Sequence, residues 1–287
     1  MPAATTHTEF ARKVYNSLPF SIQQEITDPH AYFLGSQGPD YMFFSRAYVL
    51  PGSLSKYGNM MHHTKVREAI LYLHTHCASS GVLKSYFYGF MTHYALDSKM
   101  HPHINREAKK IHDTVGTFEG EAHFRIEAEL DAWVLQKEKK SYRVYKDVKV
   151  SDSAAEAIGT LYEGLFHTVY GMEIPAKRFE DSCHDVSTFT KMIAPRSSAK
   201  YHTVIRLETL AKQPHMISAM MLDEKDPSVL PLLNPNHEAR EVPGQPGVTD
   251  SRDLPEQLED AKQFALKLIT KFDPEDLNYD FIGEPAD

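Results

Sequence analysis

Nine of the chain's 16 histidines fall between residues 62 and 123, and two pairs stand out among them: His93 four residues before Asp97, and His123 four residues before Glu127. That spacing puts both side chains on one face only where the backbone is helical. Neutral imidazole and carboxylate oxygen are good zinc ligands, and at this spacing both can reach one ion. One such pair is more often a surface salt bridge. Two pairs meet only where their helices pack side by side, so the pattern asks for a helical framework with polar residues turned inward.

The remaining patterning agrees. Thr6 and Glu9 read as a capping box opening a helix to about Asn16, with Phe10, Val14, Leu18 and His7 on its inward stripe. Pro29 marks a break, and a loop with Gly35, Gly38 and Pro39 delivers Asp40. Helices are predicted from about Thr64 to Ser80, stopped by Gly81; from about Lys84 to Met100, stopped by Pro102; and from about Glu119 to Gln136. His62 and His63 open the first of these, and Gly89, one turn before His93, leaves room on the ligand face. Ser153 with Glu156 opens a further helix, carried by Ile158, Leu161, Leu165 and Val169 and ended by Gly171. Another is predicted at about 177–194. Asp253 with Glu256 caps a last helix bearing Leu258, Ala261, Ala265, Leu268 and Phe272. The segment 141–150 suits an extended stretch, and the proline-rich 227–255 suits a long surface loop. The expectation is an all-α, single-domain protein: a metal-site half at about 1–136 and C-terminal helices over about 151–287.

Composition narrows the function. With 31 basic and 39 acidic residues the net charge is −8, so the chain lacks the global attraction for nucleic acid or anionic membrane of a basic protein, although a local basic groove stays allowed. Two cysteines, Cys77 and Cys183, make neither a disulfide framework nor a thiolate zinc site. No apolar run reaches a membrane span, and MPAATTHTEF has no leader pattern, so the expected compartment is the cytoplasm.

Further candidates surround the two pairs. His101 lies one turn beyond Asp97 and His103 two residues further; Asp40, His62, His63 and His7 complete the set. Taken alone, His7 reads as a satisfied core histidine, and His74 and His76, two apart, cannot face one ion together. Tyr86, Phe87, Tyr88 and Phe90 read as core. The Lys/Glu run at 137–140 reads as a solvated helix end. Tyr41, Phe43, Phe44 and Tyr48 follow Asp40 and read as core more readily than as walls of an apolar approach.

In order, an N-terminal His, YFLGSQGPD, MHHTK, GFMTHYALDSKMHP and HFRIEAELD resemble the zinc-dependent phospholipase C family, distant kin of fungal single-strand nucleases, over roughly residues 7–135. The resemblance implies an all-α fold with two or three zinc ions in a cleft. It implies one zinc on Asp40, His62, His93 and Asp97, and a second on His101, His123 and Glu127, with Asp97 bridging toward a third that His7 helps hold. His62 rather than His63, and His101 rather than His103, match the family's MHxxK and HPxI patterns. The phospholipases complete the third site with a processed N-terminal Trp. The only Trp here is Trp133, so two ions are expected and a third weak or absent.

Two metal ions a few Å apart can acidify a shared water and clamp phosphoryl oxygens, which suits phosphodiester hydrolysis, and Asp40 beside them could orient or deprotonate that water. The expected substrate is a phosphate ester, phospholipid foremost; nothing in the sequence specifies its headgroup. Two alternatives stand: an HD-type phosphohydrolase built on His112–Asp113, and a helical binding protein in which metal only staples the bundle.

Overall fold

Phe10, Ala11, Val14 and Leu18 fall on one stripe and are buried, which turns α1 (Ala4–Ser17) inward on that face. The computed structural model describes residues 3–47, 51–195, 197–222, 231–243, 245 and 247–286. Tyr48 and, within the proline-rich segment, Pro227 and Pro246 lie outside them. Among the described residues there are thirteen α-helices and one two-stranded ribbon, an all-α architecture.

The start of α1 departs from expectation. Thr6 sits inside the first turn, and the cap position, Ala3, makes no side-chain bond. Asp131, on a distant helix, takes the orphan donors instead: Thr5 N at 3.0 Å, Thr6 N at 2.7 Å and Thr6 Oγ1 at 2.7 Å. A buried carboxylate accepting three bonds at a helix N-terminus satisfies the free N–H groups and the macrodipole together. Glu9, released from capping, pairs with Lys140 and Arg12.

α2 (Phe20–Glu25) leads to α3 (Pro29–Gly35), where Pro29 fills the first turn behind the Asp28 cap. A 3-10 turn, Gly38–Met42, carries Asp40. His62 and His63 close α4 (Ser55–His63) rather than opening a helix, because Lys65 turns left-handed at φ 51° before α5 (Val66–Cys77). Gly81 stops nothing. Ser80 caps α6 (Gly81–Val115), its side chain accepting from Leu83 N at 3.4 Å.

α6 is a single 35-residue helix that passes straight through Pro102. An interior proline costs about 3 kcal/mol and deletes the bond to the carbonyl four residues back. Here the loss is outweighed, since α6 is buried over most of its length and packs on α1, α3, α7 (Glu119–Glu138) and α13 (Leu254–Thr270). At one of these crossings a Cβ on Gly89 would lie 1.9 Å from Tyr32 O, and one on Gly35 would lie 2.0 Å from Tyr86 O. Gly89 therefore makes room for α3, not for ligands.

The predicted extended stretch at 141–150 holds a short helix, α8 (Val144–Asp147), pinned by Arg143 and Arg12 on the buried Asp147. α9 (Asp152–Leu165) is capped by Ser151, two residues before the expected cap, and closes through a π turn at Phe166–Tyr170 against left-handed Gly171. α10 (Ala176–Ile193), α11 (Ser198–Leu210) and α12 (Met216–Ala219) follow. The described part of the proline-rich segment is more than a loop: β1 (Arg240–Glu241) pairs antiparallel with β2 (Thr249–Asp250). The Asp253–Glu256 capping box opens α13 as the sequence predicts. One apolar core cluster runs from Ala4 to Phe281.

Candidate metal centre

Two stripes of polar residues at four-residue spacing face each other across the α6–α7 contact: His93, Asp97, His101 and Asn105 on α6, and His123, Glu127 and Asp131 on α7. A polar stripe has no reason to be buried in a helix interface unless its groups find partners. These form two convergent sets. In the first, one ligand atom each from His7, Asp40, His93 and Asp97 lies within 4.8 Å of the others; in the second the same holds for His101, His123 and Glu127.

Around Asp97, Oδ1 lies 3.2 Å from His7 Nε2, while Oδ2 lies 3.0 Å from His93 Nε2, 3.7 Å from His101 Nε2 and 3.9 Å from His62 Nε2. His62 Nε2 is 3.0 Å from Asp40 Oδ1. In the second set, Glu127 Oε1 lies 3.3 Å from His123 Nε2 and 3.5 Å from His101 Nε2. Two donors sharing a tetrahedral zinc with bonds of ~2.0 Å stand ~3.3 Å apart, so the spacing is that of co-ligands. His93 Nε2 and Asp97 Oδ2 are buried and, despite their closeness, lack the alignment of a hydrogen bond; neither atom has another hydrogen-bond partner. A cation satisfies both lone pairs at once, and the donor set therefore fits zinc.

Three of the five imidazoles are oriented by a contact at Nδ1, while Nδ1 of His7 and of His93 is buried without a hydrogen-bond partner. Nδ1 of His62 contacts Gly58 O at 2.7 Å, Nδ1 of His101 contacts Phe281 O at 2.8 Å, and Nδ1 of His123 contacts Asn105 Oδ1 at 2.9 Å. Each acceptor requires the ring proton on Nδ1, which leaves Nε2 with its lone pair aimed into the cluster. Gly38, at φ +50°, lies on the His93 ring: a Cβ there would sit 2.0 Å from Cδ2 of that ring. Glycine is thus required for the backbone angle and for the approach. Phe281, from the C-terminal segment, is fully buried against the His62 and His93 rings, with centroids at 5.3 and 5.4 Å.

Burial pushes the Asp97 and Glu127 carboxyls up. The facing imidazoles oppose this, and both carboxyls stand well below the usual carboxylate range, with His101, His93 and His7 acting on Asp97 and with His123 and His101 among the groups acting on Glu127. Asp40 is likewise lowered against its burial, with His62 and His93 among the groups responsible. Burial lowers His93; it also opposes charge on His101, but Asp97 and Glu127 prevail and push that ring up to about 9.

Of the sequence candidates, the structure brings together His7, Asp40, His62, His93, Asp97, His101, His123 and Glu127. It does not bring in His63, which is exposed, or His103, which faces Asp250 Oδ2 at 3.5 Å. Tyr41 and Phe44 are core, and Phe43 packs against His62 at 5.5 Å. His112 and Asp113 are exposed at the end of α6, with Asp113 on Lys109 at 3.1 Å and His112 on Thr117 O at 2.8 Å, so the HD dipeptide joins neither donor set. The residues missed are the supports Asn105 and Asp131, although continuing each four-residue stripe by one step finds both. Nothing local marks Gly58 O or Phe281 O as acceptors.

Comparison with known proteins adds one match. The family model for zinc dependent phospholipase C covers residues 6–172, more than half of the chain and the whole of both donor sets. Neither the curated proteins nor the solved structures yield a match. With that family model spanning every element from α1 to α9, and an all-α fold that turns its histidines and acids inward, the chain belongs to the zinc-dependent phospholipase C family.

Proposed function

We propose that the chain is a zinc-dependent phosphodiester hydrolase acting on phospholipids or related phosphate esters. His7, Asp40, His62, His93 and Asp97 would hold one part of a polynuclear centre, and His101, His123 and Glu127 the other. What carries this reading is the convergence of two donor sets at co-ligand spacing, with Asp97 Oδ2 facing His93 at 3.0 Å in one and His101 at 3.7 Å in the other. Zinc at these donors supplies Lewis acidity, neutralising phosphoryl charge and drawing the pKa of a coordinated water toward ~7.

The chain supplies the rest. Asp40 is buried and kept ionised, so it accepts a hydrogen bond and orients the attacking water. The fixed Nδ1 protons of His62, His101 and His123 hold the rings without adjustment during turnover. Within the second set His123 is the residue open to solvent, its side chain 19% exposed beside a buried His101 and Glu127, so substrate reaches the centre from that side.

Elemental analysis of protein purified without chelator, combined with turnover on an aryl phosphodiester and on dispersed phosphatidylcholine, tests the reading. About two zinc equivalents with hydrolysis are expected. Bound zinc with no hydrolysis of any phosphoester would leave the metal as a structural staple of a binding protein.

A further inference from the structure

α11 lies beyond the residues that carry the family match, and it is an unusual helix for a folded protein. Of its 13 residues only Glu208 is buried, and Glu208 serves as a clasp: its carboxylate accepts from Ile217 N at 2.6 Å and Ser218 N at 3.3 Å in α12. The outward stripe, Thr203, Arg206, Leu207 and Leu210 at helical spacing, is exposed throughout, with Leu207 60% and Leu210 71% exposed. Leucines three apart on the solvent side give the helix no stability in water, and they mark a contact surface.

The position of this helix is informative. α11 packs on α12 and α12 packs on α7. His215, which precedes α12, donates from its N–H to Glu121 Oε2 at 3.3 Å in the first turn of α7, two residues before His123. Phe118 and Val115, 56% and 71% exposed, lie at the turn between α6 and α7, and Gly120 brings Phe118 and Met216 to one spot. Gly120 stands three residues before His123 and on the same side of α7, so the Phe118–Met216 spot borders the edge at which His123 reaches solvent, with Asp113 and Glu119 exposed near it. The exposed charges on and just after α11 are Arg206 and Lys212, and neither pairs with a described acid. Cations beside exposed leucines fit an anionic lipid surface, whereas in a symmetric pair of copies the same cations would meet each other. No described helix is long and apolar enough to cross a membrane, so the contact is peripheral.

We propose that α11, with Val115 and Phe118 at the α6–α7 turn, docks the protein on an anionic lipid surface and presents that surface to the His123 side of the centre. The proposal rests on the phospholipid reading above. Its test is sedimentation of the full zinc-loaded chain with phosphatidylcholine vesicles containing phosphatidylglycerol. Leu207→Ser/Leu210→Ser should bind at least about tenfold more weakly. Arg206→Glu/Lys212→Glu should lose a similar factor on these vesicles and little on pure phosphatidylcholine. Both should keep wild-type turnover on a soluble aryl phosphodiester, which also reports that they fold. Wild-type binding by both variants, or no vesicle binding by the unaltered chain, overturns the proposal. So does a dimer in analytical ultracentrifugation that the leucine variant dissolves. Vesicle binding without lipid hydrolysis would refute the substrate reading and leave docking intact; hydrolysis of detergent-dispersed lipid without vesicle binding would do the reverse.

Discussion

Asp97 divides its carboxylate between neighbours, and His7 holds one half: Oδ1 lies 3.2 Å from His7 Nε2, while Oδ2 turns to His93 at 3.0 Å. His7 comes from the first turns of α1 and Asp97 from the middle of α6, so this contact ties the start of the chain to its central helix. Because Oδ2 also faces His101 of the second set at 3.7 Å, one side chain reaches residues of both donor sets.

That geometry ranks the acidic variants. Asp97→Asn should remove most bound metal and all measurable turnover, since an amide offers a single neutral oxygen where two anionic ones are needed. Asp40→Asn should cut turnover by roughly 10²–10⁴-fold, as expected for loss of a water-orienting carboxylate, with part of the metal kept. Asp113→Asn should be silent. Aryl phosphodiester kinetics with metal analysis on all three decides the matter, and activity lost only in Asp113→Asn would favour the HD alternative.

His123→Ala should lower zinc content by about one equivalent and leave the His7/Asp40/His93/Asp97 set loaded, because His123 belongs to the second set alone. Asn105→Ala removes the acceptor for His123 Nδ1 and should weaken the same ion by about 10–100-fold without deleting a ligand. Competition with a zinc chelator measures both. Equal metal content in His123→Ala and the unaltered chain would refute the two-set assignment.

Asp131→Ala leaves the N–H groups of Thr5 and Thr6 buried without their acceptor. Unfolding by urea should show a loss of about 2–4 kcal/mol. Zinc affinity should fall as well, because the α1 start that presents His7 is no longer fixed. A stability loss with unchanged zinc affinity would show that His7 is positioned by other contacts.

Without metal, stability should depend on pH through the same groups. The raised His101 contributes stability that is complete below its unfolded value of ~6.5 and is lost as pH climbs through about 9. The lowered Asp97 and Glu127 contribute stability that is complete above their unfolded values and is lost as pH falls well below ~4. The lowered His93 contributes stability that is complete above its unfolded value of ~6.5 and is lost as pH falls below it, so the chelated chain should melt highest near pH ~6.5 and lose stability on both sides. Zinc replaces the proton on His101 Nε2, so the alkaline loss should vanish in the loaded protein and zinc affinity should rise with pH up to about 9. Thermal melts across pH, with and without chelator, test the sign; an alkaline decline identical in both forms contradicts it.

The sequence by itself determined the apolar-striped helices and the two His–acid pairs, because both are periodic: apolar stripes, His93–Asp97 and His123–Glu127 are written at helical spacing, and the Asp253–Glu256 box caps its helix from residues three apart; α3, α4 and α11 it left unmarked. The tertiary structure decided what depends on distant partners. Pro102 reads locally as a stop, and only the burial of α6 among its neighbouring helices carries it through. Thr6 reads locally as a cap, and only the arrival of Asp131 makes that unnecessary. The choice of His62 over His63 rests on which ring points inward to Asp40, a matter of how α4 is rotated against the core, and the acceptor that fixes His101 comes from Phe281 at the far end of the chain. Local spacing can place two groups on one face, but their convergence with groups from other segments is an energy of packing, and packing is a property of the folded whole.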